Sequence, residues 1–119
     1  KGWVDGEGQA HEKIYDVACA GGASPDAKTN RCPDNNSVVD TKTCAYSADT
    51  GADELKAHWR DPQSNAGVNA FYYVRVLELP STRHTLLDAI AMEKDPAITK
   101  HTNVLRERAF SSPIWYNSQ

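Results

Sequence analysis

The sequence lacks common enzyme motifs, a membrane span and an excess of positive charge. Its 119 residues contain no HExxH, GxSxG, phosphate-binding or dinucleotide-binding motif, so nothing supports metalloprotease, serine hydrolase or nucleotide-dependent chemistry. No apolar run approaches the roughly 18 residues of a membrane-spanning helix. The net charge of −3 is unlike that of a general nucleic-acid binder. We therefore expect neither a nucleic-acid partner nor a membrane span.

The start of the chain also lacks an initiator methionine and a signal peptide. It opens at Lys1-Gly2-Trp3, which reads as the tail of a strand, so we expect a piece of a longer protein. The length suits one domain covering residues 1–119. With 39% apolar and 24% charged residues, the composition is that of a globular protein and not of a disordered segment.

Cysteine is scarce, with only Cys19, Cys32 and Cys44 present. There is no CxxC and no histidine beside a cysteine at zinc spacing, which argues against a structural zinc site. A turn-rich stretch beginning at Gly21 separates the first two cysteines, so we predict a Cys19–Cys32 disulfide, with Cys44 reduced or paired only between chains. Closing that loop stabilises a fold by about 3 kcal/mol in the chain-entropy model. The alternative is three buried thiols in a cytosolic protein.

Strand patterns dominate the rest of the chain. The segments with strand character are Lys13–Ala20, Val38–Ser47, Leu55–Trp59, Ala70–Leu79 and Arg108–Tyr116. A helix is predicted only for Thr85–Lys94, with Ser81 or Thr85 as candidate caps and Pro96 just beyond its end. Pro113 lies inside the last strand segment, which indicates an edge position or a bulge. The prediction is a mainly β fold with one short helix.

The order of these segments resembles part of an immunoglobulin-like antiparallel β-sandwich. Apolar and polar residues alternate with period two in Leu55–Trp59, and the polar corner 61–67 follows. Tyr72 then occupies the position of the tyrosine in a tyrosine corner. Tyr72, Val74 and Val76 would face the core, with Phe71 and its period-two neighbours on the other face. Another kind of sandwich stays open as an alternative.

In this arrangement Arg108–Tyr116 is the last strand and pairs with Ala70–Leu79. The short helix then lies in an enlarged loop before that last strand, and long insertions of this kind are often functional. About five strands can be found where such a sandwich needs about seven. This count leaves open that the sandwich is incomplete at its N-terminus and that its first strands lie outside this chain.

The sequence contains no cluster of residues suited to catalysis or metal binding. The four histidines, His11, His58, His84 and His101, share no ligand spacing. We therefore predict no catalytic, cofactor-binding or metal-binding residue in this chain. The charged run containing Arg106 and Arg108 is either a solvated edge or a contact with an anion or another domain.

Four stretches together resemble a known bacterial family. They are 1–5 with 11–18, then 51–62, then Ala70-Phe71-Tyr72-Tyr73-Val74-Arg75-Val76-Leu77-Glu78-Leu79-Pro80, and finally Glu107-Arg108-Ala109-Phe110-Ser111-Ser112-Pro113-Ile114-Trp115-Tyr116. They look like the C-terminal end of the family called domain of unknown function 3604. The resemblance implies a larger N-terminal part similar to the PHP (polymerase and histidinol phosphatase) metal-dependent phosphoesterases. It also implies export to the periplasm or the exterior.

The resemblance places the metal-binding residues upstream of this chain. It implies that no cofactor is held here and that a divalent metal belongs to the N-terminal part. The chain would then be a non-catalytic domain that packs on the catalytic part through the enlarged loop. The expected interdomain contacts are Arg83, Leu87, Arg106 and Arg108. An uncovered sheet edge would also let the isolated piece self-associate.

Two other functions compete with this interpretation. The chain could be a stand-alone extracellular binding module, for example for a glycan, using exposed aromatic residues such as Tyr73 and Trp115. A small enzyme is the third hypothesis, and the missing motifs make it the weakest. An upstream histidine-rich metal motif in the full gene favours the first function, whereas a lone module behind a signal peptide favours the second.

Overall fold

Short strands make up most of the regular structure in the computed structural model, which describes residues 1–118 (for Thr99, the backbone only). The strands are β1 (Gly2–Val4), β2 (Ala10–Glu12), β3 (Ala70–Tyr72), β4 (Arg75–Leu77), β5 (Ser81–Thr82), β6 (Val104–Leu105), β7 (Arg108–Phe110) and β8 (Ile114–Tyr116). The α-helix α1 spans His84–Ala91, and 3₁₀ turns occupy Ala20–Gly22, Ala48–Thr50 and Pro96–Thr99. The fold is therefore mainly β with one helix.

The chain divides into two compact units. The first contains residues 1–33, 54–76 and the chain from 109 on, and the second contains 34–53 and 77–108. The largest sheet lies in the first unit, with strand order β2-β1-β3-β8 and antiparallel pairing throughout. The remaining strands form two-stranded sheets, β4 with β7 and β5 with β6.

The hairpin of β1 and β2 begins the first unit. One carboxylate oxygen of Asp5 accepts hydrogen bonds from the amides of Glu7 and Gln9, both at 2.9 Å. Gly8 has φ +81°, a conformation that glycine adopts without a steric cost. Asp5-Gly6-Glu7-Gly8 therefore forms the turn, as its glycines and aspartate favour, and the turn aligns Trp3 with His11 across the hairpin.

The strand predicted over Ala70–Leu79 is two strands, because the ladder breaks after Tyr72. Val74 leaves the sheet and bonds with Ser111 instead: its amide donates to Ser111 Oγ at 2.9 Å, and its carbonyl accepts from the Ser111 amide at 2.9 Å. Arg108–Tyr116 is likewise split at Ser111, two residues before Pro113. The predicted pairing of these two segments is confirmed, since β3 and β8 are antiparallel neighbours.

Other strand predictions are wrong. Leu55–Trp59 and Lys13–Ala20 form no strand in the structure, and Val38–Ser47 retains only an isolated bridge between Val39 and Tyr46. Period-two alternation is also compatible with an extended segment that has no partner strand. Trp59 lies in such a segment, and its ring packs against the rings of Tyr15 and Tyr72. Ladder hydrogen bonds, which define a strand, depend on partners that alternation does not supply.

The predicted inward face of Tyr72, Val74 and Val76 is also wrong in part. Tyr72 is half-buried, but Val74 and Val76 are exposed. The break after β3 resets the alternation, so the three side chains no longer share one face of a continuous strand. Apolar side chains are buried only at Cys19 and Ala70 among the described residues of the first unit.

The second unit contains α1 and the pair β5–β6. The predicted helix is confirmed, although it begins at His84 and ends at Ala91, and no side chain caps its first turn. Leu86 and Ala89 on one side are its buried residues. The segment after it turns at Glu93, which has φ +54°. Among the residues that the structure describes, none of the helices has the length and apolarity to cross a membrane.

Candidate functional site

The four predicted contact residues all lie in the second unit, and Arg83 differs from the others. Arg83 is half-buried, its Nε donates to the Thr102 carbonyl at 3.1 Å, and its amide donates to the Asn103 carbonyl at 2.9 Å. These bonds tie the residue that precedes α1 to the segment before β6. Arg83 therefore positions the helix within this unit.

The other three predicted contact residues are exposed. Leu87 projects from α1 beside Ile90, three residues further along and also exposed, so that two apolar side chains adjoin on the outer face of the helix. Arg106 and Arg108 are exposed on the loop before β7 and at its first residue. An apolar helix face and two guanidinium groups are therefore accessible in this unit.

The disulfide of the structure joins Cys19 to Cys32 and leaves Cys44 as a free, half-buried thiol. The Cys32 amide donates to Asp16 Oδ2 at 2.8 Å. Asp26 caps the loop between the cysteines by accepting from the amide and hydroxyl of Thr29. These bonds lower the pKa of Asp26. The loop is therefore held by the bridge and by local carboxylate hydrogen bonds, and disulfides persist in oxidising compartments.

Four aromatic rings contact one another in succession on one face of the large sheet and beside it, and we call them the aromatic row: Phe110, Tyr73, Phe71 and Trp115. Successive ring centroids lie 6.2, 6.4 and 5.4 Å apart. Trp115 is 68% exposed and Phe110 is 61% exposed. Rings at this spacing attract one another and form a continuous apolar surface.

Glu12 and Val4 flank the aromatic row. Glu12 pairs with Gly2 in the sheet register and so lies on this face, where its carboxylate accepts a 3.5 Å hydrogen bond from the Tyr73 hydroxyl. Val4, two residues from Gly2 on the same strand, adds an exposed apolar side chain. Aromatic residues at the centre of a surface are typical of the buried core of protein interfaces.

The opposite face carries a polar cluster, which we call the Asp61 network: Lys1, Asp61, Gln63 and Tyr72. Asp61 Oδ2 contacts the Lys1 ammonium at 2.6 Å and accepts from the Tyr72 hydroxyl at 2.8 Å, while Oδ1 accepts from the Gln63 amide at 2.8 Å. The Lys1 and Asp61 side chains are only 8% and 6% exposed. Lys1 also donates to the Gln63 carbonyl at 2.7 Å.

The Asp61 network shifts two pKa values in opposite directions. Burial raises the pKa of Asp61, but the hydrogen bonds from Lys1, the Gln63 amide and Tyr72 outweigh burial and leave this pKa below its usual value. Burial, with the hydrogen bond to the Asp61 carboxylate, raises the pKa of Tyr72 to about 12. At neutral pH the cluster is therefore an ion pair bonded to a neutral phenol.

Tyr72 does reach back to the corner that precedes its strand, as a tyrosine-corner residue would. Its acceptor, however, is the Asp61 side chain and not a backbone group. Lys1 Nζ lies over the Tyr72 ring at 6.0 Å and over the Trp3 ring at 5.1 Å. The corner is therefore fixed through a carboxylate that binds the first strand segment as well.

A cleft of about 460 Å³ opens beside the Asp61 network. It is lined by Lys1, Trp3, Gln63, Ser64, Asn65, Ala66, Val68, Ala70, Tyr72 and Tyr116. In the register of the sheet Ala70 lies directly between Trp3 and Tyr116, so all three side chains project from this face. The cleft lies within the range of volumes that small-molecule sites occupy.

Within residues 1–118, no group of three or more histidine, cysteine, aspartate or glutamate side chains is placed to hold a metal ion. His11 Nε2 lies 2.6 Å from Asp5 Oδ2, and its ring stacks on Trp3 at 5.1 Å. The hydrogen bond from His11, with the Gln9 amide, lowers the pKa of Asp5. This exposed pair closes the first hairpin.

Sequence reasoning did not find three of the residues that define these two surfaces. Phe110, Lys1 and Asp61 each act through a partner that is distant in the chain, as in the contact of Lys1 with Asp61. Tyr73 and Trp115, by contrast, were singled out as exposed aromatic residues, and the structure brings both into the aromatic row. The signal that could have found Asp61 is its position at the first residue of a polar corner.

One family model matches the chain over residues 1–118, and its description reads "Protein of unknown function (DUF3604)". No curated protein and no solved structure matches the chain.

Proposed function

The chain belongs to the DUF3604 family of proteins of unknown function, and on that premise we propose that it is a non-catalytic β-domain packing against the catalytic part of a larger protein. The partner is a PHP-like, metal-dependent hydrolase part of the same protein, which holds the divalent metal. The sheets described above then belong to an immunoglobulin-like sandwich whose remaining strands come from outside this chain. The Cys19–Cys32 bridge supports a periplasmic or secreted location.

The observation that carries this proposal is the exposure of apolar side chains. Among the described residues only four apolar residues are buried, whereas eighteen large ones are exposed. A domain of this length normally buries about two thirds of its unfolded surface, and burial of apolar groups is the main source of its stability. A protein surface that covers these side chains accounts for their presence.

The aromatic row is the part of that surface best suited to a protein partner. With roughly 150–250 Å² per aromatic side chain, the exposed fractions of Trp115 and Phe110 and the edges of their neighbours present on the order of 400 Å² of apolar surface. A standard interface buries about 800 Å² per partner, a little more than half of it apolar. The row therefore supplies the apolar share of one standard interface.

The second unit offers a further contact surface of different chemistry. Leu87 and Ile90 present an apolar helix face, and Arg106 and Arg108 are exposed cations. We assign these residues to the same packing function, with the guanidinium groups facing carboxylates of the catalytic part. Arg83, which is half-buried and bonded through Nε and its amide to Thr102 and Asn103, stays a proposed contact of the same surface.

A binding measurement between the chain and the separately produced remainder of the protein tests this function. We expect a stable complex, and we expect Trp115→Ala to raise its dissociation constant at least tenfold, because aromatic residues dominate interface energies. Val38→Ala is the matched control: Val38 is also exposed, at 67%, but lies in the other unit and outside the row.

Two results would contradict the proposal. One is the absence of any complex between the two parts. The other is binding of an oligosaccharide to the chain through Tyr73 and Trp115, two residues of the aromatic row. That result would favour the stand-alone glycan module. Light scattering of the isolated chain adds a second readout, because an uncovered row should make it self-associate.

A further inference from the structure

We propose that the cleft beside the Asp61 network binds one ring of a neutral sugar. The cleft lies on the face of the sheet opposite to the aromatic row, so this proposal is independent of the packing function. Its volume of about 460 Å³ is suited to a single small molecule.

The register of the sheet shapes this cleft. Trp3 and Tyr116 are the direct cross-strand neighbours of Ala70, one on each side. Two strand spacings separate their backbones by about 9.5 Å, and alanine is the smallest side chain that this middle position could carry apart from glycine. Trp3 and Tyr116 thus flank a low floor. His11 stacks on the Trp3 ring and Lys1 Nζ lies over it, so Tyr116, which is 42% exposed, is the wall against which a ligand ring can lie.

Neutral polar groups form the end of the cleft. Gln63, Ser64 and Asn65 line it from the corner that follows Asp61. This corner is held in place, because the Gln63 amide donates to Asp61 at 2.8 Å and Asn65 Oδ1 accepts from the Gly67 amide at 3.0 Å. Hydroxyl and amide groups of this kind exchange hydrogen bonds with sugar hydroxyls.

The Lys1 side chain, which lines the cleft, is already paired with Asp61. The Lys1 ammonium contacts the Asp61 carboxylate at 2.6 Å and donates to the Gln63 carbonyl at 2.7 Å, while Asp61 also accepts from Tyr72. An anionic ligand would have to compete with this carboxylate for Lys1 in a setting where both side chains are more than nine-tenths buried. The site therefore favours a neutral ligand over an anionic one.

A sugar ring combines the two properties that the cleft requires. Its C–H faces are apolar and can lie against the ring of Tyr116, while its hydroxyl groups can reach the polar corner at Ser64 and Asn65. A purely aromatic ligand would leave the corner groups without partners after displacing their water, which costs binding energy.

The test is a titration of the purified chain followed by two-dimensional NMR, with methyl β-glucoside, methyl β-galactoside and N-acetylglucosamine as probes. We expect saturable shifts in the signals of Ala70, Ser64 and the Trp3 indole for at least one of these sugars. Glucuronate should bind at least tenfold more weakly than the best neutral sugar, and phenol should produce smaller shifts at Ser64.

Two variants locate the binding. Tyr116→Ala removes one wall and should weaken binding at least tenfold. Trp115→Ala is the matched control, because this neighbouring residue on the same strand projects from the opposite face, and it should bind the sugar like the parent chain. Circular dichroism confirms that each variant keeps its fold. Ala70→Val is a second variant at the cleft. It raises the floor of the cleft and should weaken binding as well.

Three outcomes would overturn the proposal: no saturable shift with any of the neutral sugars, shifts confined to the aromatic row, or equal binding by Tyr116→Ala and Trp115→Ala. Loss of the complex with the catalytic part would contradict the packing function alone. Loss of sugar binding in the cleft would contradict this inference alone.

Discussion

The ring of Phe71 lies directly over the backbone of Gly2, its register partner on the neighbouring antiparallel strand. A β-carbon at residue 2 would meet the outer atoms of this ring. Gly2 is also buried, although it carries no side chain of its own. An aromatic ring that covers a glycine in this way fills the gap left in the sheet surface and fixes Phe71 between Tyr73 and Trp115 in the aromatic row.

We predict that Gly2→Ala lowers the free energy of unfolding by about 1–3 kcal/mol, because the Phe71 ring must move away from its place in the row. Gly6→Ala is the control, since a β-carbon there meets nothing within 4 Å, and it should change stability by less than about 0.5 kcal/mol. Urea denaturation of the three proteins measures both values. Equal stability of the two variants would show that the ring does not rest on Gly2.

We predict that Asp61→Asn destabilises the protein by about 3 kcal/mol, because it leaves the Lys1 ammonium without its anionic partner where both side chains are shielded from water. Glu54→Gln provides the comparison. Its ion pair with Lys56 has a similar length, 3.0 Å, but the side chains are 71% and 82% exposed, so the loss should be below about 0.5 kcal/mol. Similar losses for the two variants would contradict the assignment.

The pKa of Tyr72 predicts a loss of stability in alkali. Its folded-state pKa is raised to about 12 from an unfolded value of 10, so the folded state retains a proton that the unfolded state releases. The stabilisation is complete below pH 10 and is lost as the pH rises from 10 through about 12. The free energy of unfolding, plotted against pH from 10 to 12, should therefore have different slopes for the parent chain and for Tyr72→Phe. Parallel curves would refute the prediction.

The same reasoning with the opposite sign applies to Asp61. Its pKa is lowered in the folded state, so its contribution is present above the unfolded value of 3.8 and disappears as the pH falls through the folded value. Asp61→Asn should therefore remove part of the acid sensitivity of the parent chain below pH 3.8. An unchanged acid transition would place the responsible carboxylates elsewhere.

We predict that reduction of the disulfide costs about 3 kcal/mol, the value expected for a closed loop with a sequence separation of 13. The double variant Cys19→Ser, Cys32→Ser should show the same loss, whereas Cys44→Ser should remain near the parent. Peptide mapping without reduction should return a Cys19–Cys32 peptide. A bridge that includes Cys44 would contradict the pairing.

Local patterns in the sequence predicted the local parts of this fold. The helix follows from apolar spacing within Thr85–Lys94, and the turn after Val4 follows from its glycines and aspartate. The break after Tyr72 was not visible, because it depends on the hydrogen bond of Val74 with Ser111, which is 37 residues further along than Val74. The alternation at Leu55–Trp59 was misleading for the same reason, since a strand needs a neighbour that period two does not provide.

The candidate site was predictable to a similar extent. Exposed aromatic residues can be recognised one at a time, as Tyr73 and Trp115 were, but their alignment with Phe71 depends on strand register. The Asp61 network joins residues 60 positions apart, so neither the buried ion pair nor its effect on Tyr72 could be derived from the sequence. Long-range pairing, not residue type, determines both surfaces.

The order of strands in the large sheet has a consequence for biosynthesis. β1 and β2 can pair as soon as both have left the ribosome, but β3 reaches β1 only after the long intervening segment is made, and β8 follows still later. Closing such long loops before contacts form slows folding. Until β8 docks, the nascent chain presents β3 as an open edge beside exposed aromatic rings, so chaperone occupancy and aggregation during expression should be highest just before residues 114–116 emerge.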